Sequence, residues 1–132
     1  MNVLNASDLT KSGMSPDSRD FLSFTQKFGE HTVISLEVCK SVASDFRWDH
    51  MAATLLDDAH HDVYMDDIDE PLRDFARAQY EARLHHHATA DRKGVTGHHV
   101  SKAMRFHRAK LQEAKARAFA FAYGQQMKGA AS

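Results

Sequence analysis

Apolar residues recur along most of this chain at helical rather than strand spacing. Phe21, Leu22, Phe24 and Phe28 return along one face, behind a start signal at Ser15-Pro16-Asp17 and ahead of Gly29, a natural helix stop. The segment HTVISLEVC reads two ways. Ile34, Leu36 and Val38 alternate as in a strand, whereas Leu36, Cys39, Val42, Ala43 and Phe46 fit a helix capped by Ser35. With no clear second strand to pair with it, the helix is favoured. WDHMAATLLDDAHHDVYM reads as the next helix, capped by Asp49, with Met51, Ala52, Leu55, Leu56 and Ala59 inward. DDIDEP breaks it. Asp69 then caps a further helix with Pro71 in its first turn, carrying Leu72, Phe75, Ala76, Tyr80 and Leu84. RKGVTG is the last break. Beyond it Val100, Met104, His107, Leu111, Ala114, Ala118 and Phe121 are spaced 4, 3, 4, 3, 4, 3, a heptad stripe on a helix that runs towards Met127. The pattern predicts an all-α fold, a single compact domain of about five helices with a long C-terminal helix. Residues 1–14 read as a flexible N-terminal arm, 15–128 as the helical domain and 129–132 as a frayed tail.

Composition narrows the class. A chain of 132 residues can bury a core without disulfides or a structural metal. Cys39 is the sole cysteine, which excludes an internal disulfide and any CxxC motif, and its place on an apolar helix face suits a buried thiol. No apolar run approaches a membrane span, and MNVLNASDLTKSGMSPD lacks the basic start and apolar block of a secretory signal. A cytoplasmic protein without a membrane partner is the expectation. No phosphate-binding glycine loop or nucleophile elbow is present, so no enzyme, catalytic residue or cofactor is expected.

The net charge of −1 hides an asymmetry. Residues 1–70 carry five Lys/Arg against fourteen Asp/Glu, and residues 71–132 carry twelve against four. The basic half suits an anion and the acidic half a cation or a basic surface.

HHATADRKGVTGHHVSKAMR, residues 86–105, resembles the helix-turn-helix of phage Cro and repressor proteins. Ala90 falls at the small position of the first helix, Gly94 at the turn and Val95 after it; Val100, Ala103 and Met104 fall at the inward positions of the second helix. The resemblance implies a DNA-binding regulator that acts as a homodimer, with Thr96, His98, His99, Ser101 and Lys102 facing the major groove and Lys102, Arg105 and Arg108 meeting phosphate. The same window also suits a plain bend between two helices.

Two other readings stay open. DDAHHDVYMDDIDE, residues 57–70, holds seven acids and no lysine or arginine. Asp57, Asp58, Asp62, Asp66 and Asp67, together with Phe119 and Phe121 on the last helix, would serve a protein-binding modulator or inhibitor of a nucleic-acid-processing enzyme. The third reading is a metal-binding protein built on mixed pairs such as Asp57 with His61, Glu81 with His85 and His87 with Asp91. No His–His pair has ligand spacing within one predicted helix, and no metal is assigned.

Overall fold

The computed structural model describes residues 2–88 and 96–130, with side chains for 2–84 and 102–129. The fold is all-α apart from one short strand pair. In chain order the elements are β1 (Val3–Asn5), α1 (Ala6–Lys11), α2 (Arg19–Phe28), β2 (His31–Val33), α3 (Leu36–Ser41), α4 (Trp48–Leu55), α5 (Asp58–Ala88) and α6 (Thr96–Ala130).

The opening residues correct the expectation of a flexible arm. Leu4 and Leu9 are fully buried and Met14 nearly so. β1 pairs antiparallel with β2, Leu4 opposite Thr32, and so supplies the second strand that HTVISLEVC had lacked. The favoured helix holds for the second part of that segment: α3 begins one residue after its cap, Ser35, whose hydroxyl accepts the Val38 N–H at 3.2 Å, while the strand covers His31–Val33, ahead of the alternating Ile34, Leu36 and Val38. The predicted start at Ser15 moves to Ser18, which caps α2 by accepting the Phe21 N–H. Ser15 instead closes the preceding turn, accepting the Asp17 N–H. Gly29 ends α2 as predicted, at φ +72°, where a side chain would be strained.

The acidic region is divided differently from the sequence expectation. The helix begun at Trp48 stops at Leu55, and Asp57 starts α5 by accepting the His60 N–H at 2.9 Å. DDIDEP breaks nothing: Pro71 lies inside α5. Proline there removes one backbone bond, to the carbonyl of exposed Asp67, which water can satisfy, and the long contact with α6 holds the flanking turns together.

α5 and α6 form a long antiparallel hairpin. The Asp57 N–H donates to Gln126 Oε1 at 2.8 Å, and Arg108 lies 5.8 Å from the centre of the Phe75 ring, so numbering falls on α6 as it rises on α5. The core surrounds the far end of α6. Trp48 lies 5.3 Å from Phe46 and 5.5 Å from Phe119, and Phe119 lies 5.6 Å from Tyr123, ring centre to ring centre. Leu4, Leu9, Phe24, Tyr64 and Ile68 close around this row. Among the described residues, none from 69 to 110 joins that core cluster, so the near half of the hairpin stands clear of it.

Candidate anion-binding site

Where the hairpin leaves the core, one side of α6 faces the end of α3 and the start of α2. An open cleft of about 920 Å³ lies between them, lined by Arg19, Lys40, Arg105, Arg108, Gln112 and Glu113, among others. Local bonds fix its walls. Gln112 Nε2 donates to the carbonyls of Ala43 (3.1 Å) and Phe46 (2.8 Å), tying the α3–α4 loop to α6. The opposite wall is held by Asp20, a fully buried carboxylate in the first turn of α2. It accepts the Arg47 N–H at 2.9 Å and pairs with Arg47 Nε at 3.3 Å and His50 Nδ1 at 2.5 Å.

The cleft is electrostatically unbalanced. Four cations line it against one carboxylate, Glu113. Glu113 is engaged already, with Arg117 at 2.7 Å and Lys40 at 3.9 Å. Arg19 and Arg105 meet no acidic partner at ion-pair distance among the described residues. Like charges gathered around a concave, water-filled space raise the local potential and attract anions. Guanidinium forks suit phosphate or carboxylate better than halide, because they donate two parallel bonds.

Of the residues singled out in the sequence, Lys102, Arg105 and Arg108 are exposed on α6. Arg105 and Arg108 line the cleft, and Lys102 lies one turn further out on the same side. Thr96, His98, His99 and Ser101 fall in the opening turns of α6, and their side chains lie outside the described residues, as do those of His85, His86 and His87. The turn positions Ala90, Gly94 and Val95 of the helix-turn-helix window lie outside them too. Ala103, predicted inward, is exposed, and Met104 is half-buried. Sequence reasoning missed Arg19 and Lys40. Neither carries a local signal, since only the tertiary contact of α2 and α3 with α6 brings them here.

The five acids Asp57, Asp58, Asp62, Asp66 and Asp67 are all exposed. Asp57 bonds His60 Nδ1 at 2.7 Å rather than His61, and His61 lies against the ring of Tyr64. No cluster of three metal-ligating side chains occurs among the described residues. Phe119 corrects the expectation of an interaction residue: it is fully buried, whereas Phe121 is 54% exposed.

A second polar cluster lies on the other side of α6. Asp49 accepts from Tyr64 Oη at 2.8 Å and from Lys115 Nζ at 2.7 Å, joining α4, α5 and α6. Burial pushes Tyr64 well above the ordinary phenol range, and the Asp49 charge adds to this, so Tyr64 serves as a fixed donor. Burial opposes ionisation of Asp49, but the bonds from Lys115 and Tyr64 outweigh it and hold the carboxyl below its usual value. A lowered folded value stabilises the fold above the unfolded carboxylate range and loses that stabilisation as pH falls through the folded value. Replacing Asp49 by Asn is therefore expected to flatten the acid side of a Tm-against-pH curve below about pH 4, while lowering Tm at neutral pH. An unchanged acid limb would mean that this pairing does not stabilise the fold. Cys39 is buried, and burial pushes its thiol up to about 12, which leaves it protonated and inert at neutral pH.

No protein-family model, curated protein or solved structure matches the chain.

Proposed function

We propose that the chain is a small non-enzymatic nucleic-acid-binding regulator that takes up backbone phosphate in the basic cleft and along the α6 surface that carries Lys102. One observation carries this reading. Two arginines expected from the sequence to meet phosphate, Arg105 and Arg108, line an open cleft together with Arg19 and Lys40 from distant parts of the chain. The basic half adds a long-range attraction, with twelve Lys/Arg against four Asp/Glu over residues 71–132. Uptake of phosphate here does not depend on the helix-turn-helix resemblance. That resemblance adds groove reading by Thr96, His98, His99 and Ser101.

The test is a fluorescence-anisotropy titration with duplex DNA at two salt concentrations. Binding at low salt that weakens steeply at high salt is expected. Arg19→Ala with Arg105→Ala should reduce the slope of log K against log salt by about two. A charge-matched control, Arg77→Ala with Lys128→Ala, removes the same charge away from the cleft and should change the slope less. Equal effects of the two pairs would mean diffuse attraction without a site, and no binding at low salt would remove the reading altogether.

The acidic run supports a second reading, a modulator that binds a basic protein surface. The observation in its favour is that all five of its singled-out carboxylates are exposed. Phe119, being buried, takes no part in it.

A further inference from the structure

Helix α5 carries a charge gradient that is complementary to itself when reversed. From Asp57 to Glu70 the chain has seven acids and no Lys or Arg. From Pro71 to Ala88 it has Arg73, Arg77 and Arg83 against Asp74 and Glu81. Of the four large apolar side chains that the same helix leaves in water, Leu84 (51% exposed) stands to one side of the other three, Met65 (41%), Leu72 (39%) and Tyr80 (61%). At about 100° per residue these three fall within an arc of about 80°, and Asp62 and Arg83 fall in that same arc. Asp62 and Arg83 are exposed and have no ion-pair partner among the described residues. Tyr64 and Ile68, which face the core, lie outside the arc.

We propose that two copies of this chain associate through this face of α5, with the two helices antiparallel and a twofold axis near Leu72. Leu72 then lies beside its own copy, Met65 opposite the partner's Tyr80, and Asp62 opposite the partner's Arg83. Each acidic half covers the partner's arginine-bearing half, which has a net charge of +1, twice, as a twofold-symmetric contact requires. A parallel arrangement would set the two acidic halves, seven acids each, against one another, so the charge gradient selects the antiparallel one. The paired stretch from Asp62 to Arg83 is about 32 Å long at 1.5 Å per residue, and it removes Met65, Leu72 and Tyr80 from water. The basic cleft is built from α2, α3 and α6 and includes no member of this arc. The dimer and the phosphate site therefore stand or fall separately.

Sedimentation equilibrium of the full chain over about 1–100 μM should show a monomer–dimer equilibrium. Asp62→Arg should weaken it at least about tenfold, and so should Arg83→Asp, since each sets like charges opposite one another. Combining the two restores the opposite-charge pairs and should recover most of the lost affinity. In a second measurement Leu72→Cys is oxidised. A covalent dimer is expected, with the parent chain as control, since its sole cysteine is buried. A chain that stays monomeric throughout overturns the inference, as does a dimer that neither cross-links through position 72 nor responds to the charge reversals.

Discussion

Replacing Phe119 by Ala is expected to cost about 3–5 kcal/mol of folding stability, whereas Phe121→Ala, two residues on, should stay within about 0.5 kcal/mol. Phe119 is fully buried between Trp48 and Tyr123, with ring centres 5.5 and 5.6 Å away. Truncation removes its apolar surface and leaves a cavity that these rings cannot close without breaking their own contacts. Trp48 is held by a bond from Nε1 to the Ala43 carbonyl at 2.9 Å, so it cannot tilt freely into the gap. Phe121 is 54% exposed and leaves no comparable hole. Urea denaturation measures both: the midpoint should fall sharply for Phe119→Ala with little change in slope. Equal losses would mean that α6 is rotated about its axis from the orientation described.

This pair of residues shows where the sequence pattern stops being informative. The heptad stripe on α6 correctly marks Leu111 and Ala118 as inward. An α-helix drifts by about 20° per heptad relative to that repeat, so by the third heptad Phe121 has turned about 60° away. The core also covers a wide arc here. Ala116, Phe119, Ala120, Ala122 and Tyr123 are all buried, because α3, α4 and α5 pack around α6. A one-dimensional period follows a helix that packs along one seam, and it cannot follow one that becomes the centre of a core.

The start of the chain shows a similar limit. Leu4, Leu9 and Met14 are widely spaced among polar residues, which gives no period, yet each one plugs the core. Strand β1 is three residues long and is defined by its partner rather than by its own sequence. Local signals did locate the Gly29 stop and the Ser35 cap, because these depend on backbone conformation within a few residues. The cleft was half legible. Arg105 and Arg108 stand in a basic half that any charge count reveals. Arg19 and Lys40 come from the acidic half, and only the folding of α2 and α3 against α6 adds them.

Loss of Asp20 should be nearly as damaging as loss of Phe119, and it separates stability from charge at the cleft. Asp20→Ala is expected to lower stability by about 3 kcal/mol, the lower end for breaking a buried ion pair, because Arg47 and His50 remain partly hydrated. For a chain of this size the fall in Tm is on the order of 10 °C. Three groups lose their acceptor together: the Arg47 N–H, the Arg47 guanidinium and the His50 ring. Asp20→Asn keeps an oxygen for the Arg47 N–H and should lose less. The consequence for phosphate binding differs in sign between two mechanisms. Removing a negative charge beside a cationic cleft would, by Coulomb's law alone, tighten anion binding. Asp20, however, adjoins Arg19 in the chain and anchors the first turn of α2 to Arg47. If that anchoring aims Arg19 into the cleft, Asp20→Asn weakens the proposed phosphate binding although it makes the protein more positive. Thermal denaturation followed by anisotropy titration at 25 °C, where the variant remains folded, measures both effects on one sample. Weaker binding with a lowered Tm makes Asp20 a positioning residue for the cleft. Tighter binding would reduce its role to that of a buried anchor whose charge opposes phosphate.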